Sequence, residues 1–177
     1  NLFELGLSRA LTQAVSRRLR TEDAGEIPAL VWTTLATLLL LGLVAGALVV
    51  WATPVIVERT LDGSTALRAE ASTSFHILAI AMPFVLMSAG LRGLMEAHQD
   101  FGTVTAIRLP LATFTFLGPL LVLPFSRSLT AAVVVLVVGR LVGWIVSMAV
   151  TLRRYPYLRT GLSLKGTLVR PLLRYGG

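Results

Sequence analysis

Cysteine is absent from these 177 residues, so the chain has no disulfide, thiol nucleophile or cysteine-ligated metal. Histidine is scarce, and His76 and His98 lie on different segments, which argues against a histidine metal site; no cofactor is expected. Acidic residues are few, 9 against 16 Lys and Arg, and none falls inside the four long apolar runs described below. G-x-S-x-G, a phosphate-binding glycine loop and H-E-x-x-H are all missing, as are paired carboxylates at depth, so the usual routes to enzyme catalysis are closed. Only 14% of residues are charged while 55% are hydrophobic, at a mean hydropathy of +0.78, a balance that cannot clothe a water-soluble domain.

Long apolar runs fill the sequence instead. Residues 2–16 read as the later part of one helix, and 28–52, 72–94, 102–123 and 129–152 read as full spans. Each of the four is long enough to cross a hydrocarbon core of ~30 Å, which takes about 20 helical residues. The expected fold class is an all-α integral membrane protein of about five transmembrane helices. Residues 1–152 form a partial transmembrane lobe, and 153–177 form a basic linker. The chain starts at Asn1, with no basic leader or cleavage pattern, and stops at Arg174-Tyr175-Gly176-Gly177, so it reads as an internal segment of a longer protein.

The net charge of +7 would suit nucleic-acid binding in a polar chain, but here the basic residues cluster between apolar runs, as membrane topology requires. Ten of them fall on one side of the spans: Arg17, Arg18, Arg20, Arg92, Arg153, Arg154, Arg159, Lys165, Arg170 and Arg174. Three fall on the other, Arg59, Arg68 and Arg127, and the positive-inside rule puts the first side in the cytoplasm. In the tail, Leu162, Leu164, Leu168, Leu172 and Leu173 interleave with Lys165, Arg170 and Arg174. That pattern fits either a basic helix on the inner leaflet or a plain connector.

Three further arginines, Arg9, Arg108 and Arg140, lie within apolar segments. A charge at bilayer depth costs ~2.5–3.5 kcal/mol on insertion scales, so such residues usually face a protein-lined cavity and serve a function. Three cations with almost nothing negative at the same depth point to a cavity that holds an anion. On 2–16 the rows Glu4, Ser8, Thr12, Ser16 and Arg9, Gln13, Arg17 make a polar stripe at i, i+4 spacing. Arg17 belongs to the interface; Arg9 and Gln13, about two turns deeper, belong to the cavity. Arg140 is too deep to snorkel, shares a face with Ser147 and Thr151, and has Trp144 one turn on, placed to stack on a sugar ring. Arg108 is shallower and equally suits the cavity or the cytoplasmic headgroups. Pro110, Gly118, Pro119 and Pro124 predict a bent or broken helix over 102–123. His76 reads as a structural hydrogen-bonding residue, and Gly42 and Gly46 as a close-packing G-x-x-x-G.

The stretch Leu5-Gly6-Leu7-Ser8-Arg9-Ala10-Leu11-Thr12 resembles the second helix of Wzx-type oligosaccharide flippases, in the multidrug/oligosaccharidyl-lipid/polysaccharide (MATE/MOP) superfamily. The polar turn Glu96-Ala97-His98-Gln99-Asp100-Phe101 after Gly93, the basic stretch with Tyr155 and Tyr157, and the ending Leu172-Leu173-Arg174-Tyr175-Gly176-Gly177 are similar to the same family. The resemblance implies helices two to six of a six-helix lobe in a bacterial inner-membrane exporter. It further implies export of an undecaprenyl-diphosphate-linked oligosaccharide by alternating access through a cationic cavity, beside polysaccharide polymerase and assembly proteins. On this view the substrate-binding residues are Arg9, Gln13, Arg108, Arg140 and Trp144. A drug/cation antiporter of the same superfamily needs an intramembrane acid, for which Glu4 alone is placed, since Glu58, Asp62 and Glu70 lie in outer loops. A membrane scaffold without transport would leave the arginines without a purpose.

Overall fold

A computed structural model describes residues 27–60, 64–122, 124 and 128–160, and among these every regular element is helical. The helices are α1 Ile27–Thr60, α2 Thr65–Ala97, α3 Phe101–Val122, α4 Leu129–Arg154 and the short α5 Tyr157–Thr160. The first four are long and apolar enough to cross a membrane. The segment 2–16, with Arg9 and Gln13, and the tail from 161 lie outside the described residues.

The spans expected at 28–52 and 72–94 extend into longer helices of 34 and 33 residues. Apolar composition marks where a helix leaves the hydrocarbon, whereas the backbone ladder continues until something caps it. At ~1.5 Å per residue α1 is about 51 Å long, so it projects well beyond a ~30 Å core. Ser64 caps the start of α2, its hydroxyl accepting from the Leu67 N–H at 3.4 Å.

The proline-rich segment is not broken: α3 runs unbroken through Pro110 and Pro119 and ends at Val122, short of Pro124. In lipid no water is available to take up freed backbone groups, so keeping the rest of the ladder costs less than unwinding it. Pro54 in α1 and Pro83 in α2 are carried in the same way.

Small residues set the packing. A Cβ on Gly42 would collide with the Pro83 backbone, and one on Gly46 would lie 2.7 Å from the Ala79 carbonyl oxygen, so α1 lies directly on α2. In the same way Gly139 and Gly143 of α4 receive Phe114 and Leu111 of α3. α2 is the central element, packing on α1 and on α4, while α3 rests mainly on α4 and only slightly on α2. A core of Ile27, Leu30, Val31, Leu35, Met87, Leu91 and Leu94 binds α1 to α2 near the α2–α3 turn. Outward faces remain apolar, Trp51 being 76% and Leu109 67% exposed, as helices solvated by lipid require.

Candidate functional site

The α2–α3 turn is a Schellman motif: Gln99 takes φ 57°, its N–H donates to the Glu96 carbonyl at 3.0 Å, and the Asp100 N–H donates to that of Met95 at 3.0 Å. Asp100 then opens α3, its carboxylate accepting from the Thr103 N–H at 3.3 Å. Although α2 and α3 leave this turn together, they part, because α4 packs on both. The opening between the three helices is a cavity of about 450 Å³.

Its polar wall consists of Ser88 and Arg92 from α2, Arg108 and Thr115 from α3, and Arg140 and Ser147 from α4. Each helix therefore contributes one guanidinium. The hydroxyl protons are already used: Ser88 donates to the Phe84 carbonyl, Thr115 to that of Leu111 and Ser147 to that of Gly143, each at 2.8 Å. The donors left free to meet a ligand are those of the three arginines. Among the described residues no carboxylate lines the cavity or lies within ion-pair distance of them. Such a site favours an anion, and each guanidinium offers a fork of N–H groups matched to phosphate or carboxylate.

The structure brings Arg108 and Arg140 to one cavity and adds Arg92, which the sequence places at the cytoplasmic end of the span 72–94 and counts only toward topology. The signal for Arg92 was its place one turn after Ser88 on the same helical face. Trp144 is placed otherwise: its ring meets Phe84 edge-on, with centroids 5.1 Å apart at 66°, and it packs on the core instead of lining the cavity. Its indole N–H and the Thr151 hydroxyl are buried without a partner. His76 is exposed, with Nδ1 2.7 Å from the Ser72 carbonyl oxygen.

At the turn end, two motifs distant in sequence meet. His98 donates from Nδ1 to the Leu94 carbonyl oxygen at 3.0 Å, which leaves Nε2 to accept from the Tyr157 hydroxyl at 2.9 Å. The His98 ring lies 4.4 Å from that of Tyr155. Arg154 pairs with Asp100 at 3.0 Å, and Trp32 of α1 donates to the Leu158 carbonyl at 3.0 Å. The Thr103 hydroxyl's hydrogen bond, helped by the nearby Arg154 charge, holds the Asp100 carboxyl below its ordinary range despite burial. Burial, with Tyr155 alongside, pushes the Tyr157 phenol up to about 12.

A family model described as "Polysaccharide biosynthesis protein" matches residues 1–177. No curated protein and no solved structure matches the chain.

Proposed function

The chain belongs to the polysaccharide biosynthesis protein family, that of the Wzx-type flippases, and from this premise we propose that it carries an undecaprenyl-diphosphate-linked oligosaccharide across the bacterial inner membrane. The family comprises multi-pass membrane exporters, not catalysts, and the four apolar helices agree with such a protein. The observation that carries the specific reading is the cavity with three guanidiniums that, among the described residues, meet no acid. A lipid diphosphate is a compact polyanion, and forked donors fixed on three helices suit it. Among the described residues no carboxylate stands on the cavity wall, whereas a cation antiporter would need one there.

The α2–α3 turn would face the cytoplasm, so that the cavity loads from the inner leaflet while the prenyl tail stays in lipid. Rocking against a second lobe would then expose the glycan to the periplasm, for polymerase and assembly proteins to receive. The test is made in cells lacking the full-length gene. Wild type should restore surface polysaccharide and clear lipid-linked oligosaccharide from the cytoplasmic leaflet. Arg108→Ala and Arg140→Ala should each cut export by about ten-fold or more, since a charge-assisted hydrogen bond contributes ~1.5–3 kcal/mol. Full export by both variants at wild-type membrane levels would sink the cationic-cavity mechanism.

A further inference from the structure

Polar ties are unevenly shared among the helices. Ser128 stands where α4 begins, at the end of the bundle far from the α2–α3 turn, but its hydroxyl makes no cap of its own. It donates instead to the Glu70 carboxylate of α2, which also accepts from the Thr130 N–H at 3.4 Å. Glu70 thereby caps α4 from a neighbouring helix, setting a negative charge at the positive end of the helix dipole. Beside it the Ser74 and Thr130 hydroxyl oxygens lie 3.3 Å apart. Further along, Ala81 of α2 packs with Val133 and Val137 of α4. At the turn end Arg154 of α4 pairs with Asp100, and Tyr157 of α5 donates to His98, which closes α2. The pair α2 and α4 is thus tied at both ends.

α3 is held differently. Past the turn its threonines bond only to their own helix, Thr113 to the Leu109 carbonyl at 3.0 Å and Thr115 to that of Leu111. Among the described residues no side-chain hydrogen bond or ion pair joins residues 104–122 to another helix. Its seat on α4 is a second G-x-x-x-G, where Gly139 and Gly143 meet the ends of the Phe114 and Leu111 side chains. Gly42 of α1, by contrast, meets the backbone of Pro83. Dispersion contacts carry no direction, so side-chain ends can shift over glycine, whereas a hydrogen bond weakens steeply once its angle is lost. Room to pivot exists beside the turn: a Cβ on Gly102 would meet nothing within 4 Å, and Phe101 is 60% exposed. Pro110 and Pro119 each remove a ladder bond, which lets α3 flex along its length.

Resting on the flippase reading, we propose that α3 is the moving helix of this lobe. It pivots at the Asp100 turn and slides over the glycines of α4, while α2 and α4 stay joined throughout the transport cycle.

The test uses the full-length protein, any cysteine outside these residues replaced by serine, in cells lacking the gene. Ser74→Cys with Thr130→Cys joins α2 to α4 as a disulfide on oxidation. Gly118→Cys with Val135→Cys joins α3 to α4, since a Cβ on Gly118 would lie 3.1 Å from a Val135 methyl. With each disulfide verified on gels, oxidation should leave export by the first pair unchanged. It should stop export by the second pair until a reductant restores it. If that pair is inactive even when reduced, Phe114→Cys with Gly139→Cys replaces it at the same helix contact. Loss of export on oxidising the first pair, or full export by the oxidised α3–α4 pair, overturns the assignment while the flippase reading stands. No export by wild type overturns both.

Discussion

Asp100 serves three helices at once: it closes the Schellman turn of α2, caps α3 and pairs with Arg154 at the end of α4. Arg154 is 58% exposed on its side chain, so the ion pair is screened and contributes at most about 1 kcal/mol. The cap is the larger effect, and Asp100→Ala should cost ~0.5–2 kcal/mol. Because the folded state lowers this carboxyl's pKa, its stabilisation is present above the unfolded value and fades as pH falls through the folded one. Thermal unfolding in detergent should therefore show a gap between wild type and Asp100→Ala at neutral pH that narrows in acid below 3.8, the ordinary aspartate value. Tyr157→Phe removes the hydroxyl that satisfies His98 Nε2 and should cost about 1 kcal/mol in the same assay.

At the level of helices, the glycines make separable claims. An Ala at Gly42 meets the Pro83 backbone, which cannot step aside, so α1 and α2 must separate, at a cost of ~1–3 kcal/mol. An Ala at Gly118 meets a Val135 methyl at 3.1 Å, which gives way by a few tenths of an ångström, and should change the melting temperature far less. The G-x-x-x-G was legible in the sequence because spacing alone puts both glycines on one face. The four described spans were legible because lipid demands continuous apolar surface. Helix ends were not, since Thr53 and Pro54 interrupt the apolar run while the α1 ladder carries on through them to Thr60. Arg92 escaped notice because it closes an apolar run, and a charge there looks like an end marker until α4 shows that its face borders a cavity. Trp144 was misplaced because helical spacing puts it near Arg140 but cannot say that Phe84 claims its ring.

For the molecule as a whole, orientation is open to direct measurement because the chain has no native cysteine. Single cysteines at the exposed positions Gln99 and Ser64 mark opposite ends of α2. In inverted membrane vesicles an impermeant thiol reagent should label Gln99→Cys, and in intact spheroplasts it should label Ser64→Cys. The reverse pattern would turn the cavity mouth away from the leaflet where lipid-linked precursors are made. The placement of one guanidinium on each of α2, α3 and α4 has a consequence for release. Since no two charges share a helix, grip on a polyanion depends on how far apart the helices stand, and α3, held chiefly by α4, is the one freest to swing. Spreading α3 from α2 dilutes the positive field without moving a proton or breaking an ion pair, so the conformational change that opens the far side would itself loosen the cargo.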